Sequence, residues 1–405
     1  MFAPSYGLFL LLIPIILFFN YISLILINKK DYFVYAKKIS LYIFCFALLI
    51  RFAFIYIFPF GSGFDISSFH WAGRTIIEKK DIYQTIEFRH RYSFLPAFAI
   101  ASSYFIRLES YGLPYVFTQK LPVIVFDSLI AVIIFKITRK KIPALVYSVS
   151  PIPIILSVLY GQFDSIVLFF TVLALYLLNN KKVFLSFLSL GIAVAVKPWA
   201  LIFLLIILPK TKKIFLYLMS FFIPSLISVI LYKTLVVEVA FFNMIKGISQ
   251  YSSVLGWWGP AAILKIPAKY FNRESILFHW GAITKILSVI VVFLLGRIKY
   301  IEIYKTAKWF VLIIYIISFG FAIHYLLWIF PFALITRDKL TKSYMLICGN
   351  FIILVGLIGG LTYNFTPPYI PEILTIILSQ ILWLFFILWF TFDVRQTIRK
   401  YLLSY

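Results

Sequence analysis

The sequence predicts an all-α, polytopic membrane helix bundle, and three observations predict it. The chain is 63% hydrophobic and only 13% charged, with a mean hydropathy of +1.01, a composition foreign to soluble globular domains. Apolar stretches of about 20 residues, the length that crosses a bilayer as a helix, recur from end to end. Lys and Arg concentrate in the short connections between those stretches, which is the positive-inside pattern. Inside lipid every backbone polar group needs an internal partner, so the apolar stretches are expected to be helices. No region is both polar and long enough for a separate soluble domain, so residues 1–405 read as a single transmembrane domain. The net charge of +24 does not indicate a nucleic-acid partner, because the basic residues follow the membrane pattern.

The first apolar run, 8–28, has no basic residue before it and no Ala-x-Ala site, so it is expected to be a retained helix rather than a signal peptide. Further spans are expected at 40–60, 121–136, 143–160, 164–178, 214–236, 281–298, 343–363 and 372–392. The stretch 94–106 is too short to cross and reads as re-entrant. Two long apolar runs each hold one lone cationic or imidazole group, Lys197 and His324. Such a group at the bilayer midplane is expensive. Pro198 disfavours helical geometry at Lys197 and lacks an N–H of its own. The run therefore reads as two short helices, 183–196 and 198–208, with Lys197 at the tip between them. The His324 run reads the same way. The result is about 13 membrane segments, N-terminus outside and C-terminus inside. Connections placed inside hold 23 of the 38 Lys and Arg, and those placed outside hold 12, of which 7 lie in the long loop 61–120. Long loops follow the rule poorly.

This threading gathers the unusual residues on the outer side. Asp65 opens the long loop, followed by Ile66, Phe69, Ile76 and Ile77 at helical spacing, with Trp71 beside them. That pattern predicts interfacial helix on the membrane surface. Asp65 reads either as its N-cap or as a general base above a cleft. Arg89, His90, Arg91 and Tyr92 form a basic, aromatic cluster suited to gripping phosphate or to reaching anionic headgroups. Asp164, in Gly161-Gln162-Phe163-Asp164, reads as a cap for the next helix or as a substrate contact. Lys197 and His324 offer charge-assisted hydrogen bonds to a phosphate, or reach out to lipid phosphates. Trp257 and Trp258 either stack on a sugar ring or anchor a loop at the interface. Asp127, within a span, is expected to be a buried structural partner for Arg51. Asn364-Phe365-Thr366 fits a glycosylation sequon close to the membrane. Cys45 and Cys348 lack metal-ligand spacing, and the chain has no Walker loop, GxGxxG or HExxH.

The order of these motifs resembles the GT-C superfamily of membrane glycosyltransferases. An acidic residue follows an early membrane helix, and Tyr92-Ser93-Phe94-Leu95-Pro96 closes its loop. Leu121-Pro122 then leads to Asp127. Gly161-Gln162-Phe163-Asp164 precedes Ala193-Val194-Ala195-Val196-Lys197-Pro198, and His324-Tyr325-Leu326-Leu327-Trp328-Ile329-Phe330-Pro331 comes last. The resemblance covers about residues 40–335, leaving 336–405 as C-terminal helices. It is closest to prokaryotic mannosyl- and glucosyltransferases that use polyprenyl-phosphate sugars.

The resemblance implies that the catalytic acid of the first outer loop is Asp65. It implies a dolichyl- or other polyprenyl-phosphate monosaccharide as donor, and a glycan, lipid or protein as acceptor. Lys197, His324, Arg89 and Arg91 then become the donor-phosphate ligands. Asp164, Tyr92, Trp257, Trp258 and Tyr325 become substrate contacts. The loop carries Asp65 alone where relatives often carry two acids, so a divalent metal is not supported and no cofactor is assigned. A prokaryotic cell membrane, with the site facing outside, is the expected location. The alternative is a non-enzymatic flippase or transporter of lipid-linked sugars, which would want similar cations and an apolar groove.

Overall fold

In a computed structural model of the chain, the described residues are 6–29, 37–61, 63–84, 95–208, 214–236, 242–245, 258–270, 301–318, 320–355 and 372–402, with isolated positions between 283 and 294. Among them every extended regular element is a helix. In chain order these include α1 (Tyr6–Leu26), α2 (Lys37–Ile57), α3 (Gly63–Ile77), α4 (Pro96–Glu109), α5 (Tyr115–Thr138), α6 (Lys141–Val149) and α7 (Pro151–Leu159). There follow α8 (Asp164–Asn179), α9 (Val183–Val196), α10 (Pro198–Ile207) and α11 (Ile214–Leu235). The last are α12 (Gly259–Tyr270), α13 (Ile303–Ile317), α14 (Ile323–Thr336), α15 (Thr341–Val355) and α16 (Glu372–Leu402).

Four helices, α2, α5, α11 and α16, are long and apolar enough to cross a membrane, and the bent pair α6–α7 makes a fifth if it counts as one span. The other expected segments in the described residues are shorter apolar helices, among them α8, α9, α10, α14 and α15. The expected span 281–298 and the end of 343–363 lie largely outside the described residues. Half of the apolar window of α5 is buried, against 17% for α11 and 22% for α16. α5 is therefore the inner post of the bundle. The outer helices turn large apolar side chains away from the protein, such as Tyr56, Phe215 and Leu388.

Prolines and small side chains explain the breaks. α6 ends before Ser150-Pro151-Ile152-Pro153, where the prolines remove two backbone donors. Ser150 caps the new helix by accepting from the Ile152 amide, and the pair bends by 41°. α9 stops at Val196, Lys197 is extended at φ −154° and ψ 127°, and Pro198 begins a 3-10 turn. That break falls where the sequence put it. His324 likewise lies in a 3-10 turn, Ile323–Leu327, after α13 has ended.

The first loop corrects one expectation. The apolar stripe of α3, expected to face lipid, is covered by protein. Ile66, Phe69, Ala72 and Ile76 are buried in a cluster with Phe98, Ala99 and Phe163. The close approach runs through Gly73, where an added Cβ would lie 2.6 Å from the Ser102 carbonyl carbon of α4. The stretch read as re-entrant, 94–106, forms α4 against this stripe from Pro96 onward.

At another place the chain builds a charged network that ties α16 to α13. Lys308, 1% exposed, reaches Asp338 at 2.5 Å and Asp393 at 2.8 Å. Lys305 meets Asp393 at 3.0 Å, and the indoles of Trp309 and Trp389 donate to Asp393 and Asp338. The four charged residues come from the segments 297–308, 337–342 and 393–405, which charge counting put on one side. Burial pushes the Asp338 carboxyl up, but the Lys308 charge and hydrogen bond, the Leu340 amide and the Trp389 indole outweigh it and hold it below its ordinary 3.8. A lowered carboxyl stabilises the fold above its unfolded value and loses that contribution as pH falls through its folded value. Thermal unfolding in detergent should therefore drop as pH falls below 3.8, and Asp338→Asn should flatten that drop.

Candidate functional site

The candidate site is assembled from three chain breaks that meet. The first is the turn between α7 and α8. Gly161 has φ +72°, which spares a side chain a strained backbone, and a Cβ there would press on Gln119, Ile66 and Lys120 at 3.0–3.2 Å. Gln119 of α5 donates to the Gly161 carbonyl at 2.8 Å. Fully buried Lys120 donates to the carbonyls of Phe60 at 2.5 Å and Leu159 at 2.9 Å. One helical turn of α5 therefore holds both the entry to the first loop and the approach to this turn. A buried ammonium needs such partners, because desolvation without them is costly.

Asp164 follows at the start of α8. It is not the N-cap, which is Phe163. Its carboxylate is fully buried and turns inward to accept from Lys197 Nζ at 2.8 Å and from Trp328 Nε1 at 2.7 Å. His324 Nε2 lies 3.8 Å from the same carboxylate and 3.5 Å from Lys197 Nζ. The two tips that the sequence matched are thus neighbours in space, joined through an acid it had read as a cap or substrate contact. Exposure separates their roles. Lys197 is 30% exposed and His324 15%, whereas Asp164 is at 0%. The lysine and the imidazole have a free side, and the carboxylate acts through them.

Aromatic rings wall this cluster. Trp328 stacks on Trp199 at 4.0 Å and 9°, and Tyr325 packs on both Trp328 and His324. The Lys197 ammonium stands 6.0 Å from the Tyr325 ring centre, within cation–π range. Among the described residues, the buried Trp199 indole N–H has no hydrogen-bond partner.

Asp65 approaches from the first loop. α3 begins at Gly63, so Asp65 lies in its first turn rather than at its cap. It is half-buried, and its carboxylate accepts from Gln162 Nε2 at 2.5 Å. Its charge acts on the His324 imidazole and on Tyr160. Asp65, the Lys197 ammonium and the His324 imidazole therefore belong to one electrostatic neighbourhood.

The remaining sequence candidates divide. Trp258 is 2% exposed, stacks on Phe321 and gives its N–H to the Tyr315 carbonyl; it packs inside the bundle and does not anchor a loop at an interface. Arg89, His90, Arg91, Tyr92, Trp257 and the sequon at Asn364 lie outside the described residues. Gln162, Trp199, Trp328, Gln119 and Lys120 received no role from the sequence. Gln162 and Trp328 were inside quoted motifs, while nothing in Gln119-Lys120 marked it. Among the described residues, no three acidic, histidine or cysteine side chains gather as ligands for a metal ion.

In comparisons with known proteins, the chain matches no family model and no curated protein.

Proposed function

We propose that this protein is a membrane glycosyltransferase of GT-C type that moves a monosaccharide, mannose or glucose, from a polyprenyl-phosphate donor to an acceptor hydroxyl. The observation that carries the reading is the pairing of Lys197 with His324 beside Asp164, within electrostatic reach of Asp65. A proton acceptor and hydrogen-bond donors for the departing phosphate, one neighbourhood apart, are what a displacement at an anomeric carbon uses.

In this mechanism Asp65 takes the proton of the acceptor hydroxyl. The hydroxyl oxygen attacks the anomeric carbon from the face opposite the phosphate. The carbon–oxygen bond to phosphate breaks, and the polyprenyl phosphate leaves with the electron pair. One displacement inverts the anomeric centre. Lys197 and His324 donate to the leaving oxygen, where negative charge develops, with Arg89 and Arg91 as cations that add to Lys197. When Lys197 donates to His324 Nε2, the neutral imidazole carries its proton on Nδ1 and offers that N–H.

The charge of the cluster bears on the donor. Lys197 is already balanced by Asp164, so little positive charge is left over. Such a site suits the single charge of a phosphodiester better than the two charges of a nucleotide diphosphate. Apolar outer helices suit a donor whose isoprenoid tail stays in a prokaryotic cell membrane, with the site toward the outer face.

The test is transfer by purified protein in lipid nanodiscs, given polyprenyl-phosphate mannose or glucose and membrane glycans as acceptors. Lys197→Met should raise the donor KM about 10- to 100-fold, the size of one charge-assisted hydrogen bond of about 1.5–3 kcal/mol. An unchanged donor KM with full activity removes Lys197 from phosphate binding. Movement of labelled donor between leaflets without a new glycosidic bond would favour the flippase reading.

A further inference from the structure

We infer that Gln162 is the positioning residue for Asp65, and that the Gly161–Asp164 turn sets the spacing between the base and the phosphate-binding pair, Lys197 and His324. The inference rests on the transferase reading. It starts from a juxtaposition that the motif alone does not reveal. Gln162 is 3% exposed, and its amide reaches across 97 positions of sequence to Asp65. Asp164, two residues further on, holds Lys197 and Trp328 and borders His324. At about 3.6 Å of chain per residue, the two anchor points are within about 7 Å along the backbone. A single turn thus touches both halves of the proposed chemistry.

The turn is itself held rigidly. A side chain at Gly161 would press on three neighbours from a strained φ of +72°, the Gly161 carbonyl is held by Gln119, and Lys120 pins Leu159 just before it. The same lysine pins Phe60, five residues before Asp65. Both strands of chain that carry the acid and its partner are fastened to one turn of α5. Loose loops do not need two such fasteners, whereas a base that must meet a hydroxyl within hydrogen-bond distance does.

The choice of glutamine follows from charge. A lysine or arginine at this place would set a cation against the carboxylate and weaken it as a base. A neutral amide orients the carboxylate by donating to one oxygen, without weakening it as a base the way a full positive charge would. Among the described residues, the titratable groups that feel the Asp65 charge include Tyr160 and His324, with Lys197 and Asp164 next to His324.

Steady-state transfer in nanodiscs tests this, using farnesyl-phosphate mannose and glucose with membrane glycans as acceptors. Gln162→Leu should lower kcat about 10- to 100-fold and leave the donor KM within twofold, the opposite of the Lys197 result. Undiminished kcat in Gln162→Leu overturns the inference. Gln162→Glu has the same shape and answers even if the leucine variant fails to fold. Its ionised form repels Asp65, and its protonated form donates as the amide did, so its activity relative to wild type should climb as pH falls. A ratio that stays flat with pH overturns the positioning role. If wild type forms no glycosidic bond, the transferase reading itself falls, and this inference falls with it.

Discussion

Asp65→Asn should lower kcat for transfer by about 100- to 10,000-fold, the range expected for losing a general base, while the donor KM changes little. The substitution preserves size and keeps one oxygen for the Gln162 amide, so the local fold has little reason to shift. What disappears is the ability to accept a proton from the acceptor hydroxyl. Lys197 and His324 remain, and in the proposed mechanism they still bind the phosphate. A large fall in kcat at constant donor KM therefore separates the base from the clamp. Retained transfer by Asp65→Asn would remove the base assignment outright. The rival reading makes the opposite statement: a flippase has no proton to abstract, so its rate of moving donor between leaflets should survive this substitution. Measuring glycosidic bond formation and leaflet exchange on the same nanodiscs decides between them.

The parts of this architecture that were legible in the sequence rest on short-range physics. A proline beside a lysine ends a helix wherever the chain goes, so the break at Lys197 appears at Val196 as expected. A lone acid in an apolar span must find a cation, and Asp127 finds Arg51 at 2.8 Å. The rest depends on long-range partners. The spacing of Ile66, Phe69 and Ile76 describes an apolar face, but periodicity does not distinguish a face that meets lipid from one that meets Phe98 and Phe163. Asp164 at the head of a helix looks like a cap until Lys197 and Trp328 arrive from 33 and 164 residues away. Gln162 carries no charge and no periodicity, so its contact with Asp65 left no local signal. Trp258 shows the same limit: tryptophan suits an interface and a core equally, and Phe321 decided for the core.

The largest loss of stability is expected from breaking the Arg51–Asp127 pair on one side only. Both side chains are fully buried. Asp127 accepts from Arg51 at 2.9 Å, Tyr147 at 2.8 Å and Ser157 at 3.1 Å. Arg51 also donates to the carbonyl of Ser148, its remaining donors turning toward Ala47 and Tyr147. The pair thereby joins α2, α5 and both halves of the bent α6–α7 pair, whose far end leads to Gly161. Arg51→Leu leaves the buried carboxylate with the Tyr147 and Ser157 hydroxyls but without its opposite charge, a change of about 3–5 kcal/mol. Arg51→Leu with Asp127→Leu removes both charges and should recover much of that loss, because an apolar pair has nothing to desolvate. Cys348 is a built-in reporter, since it is buried while Cys45 is exposed. In a Cys45→Ser background, maleimide labelling of Cys348 should speed up strongly in Arg51→Leu and return toward wild type in the double variant. Equal labelling rates in the single and double variants would mean that the site needs the arginine's hydrogen bonds and bulk, and that charge balance contributes little.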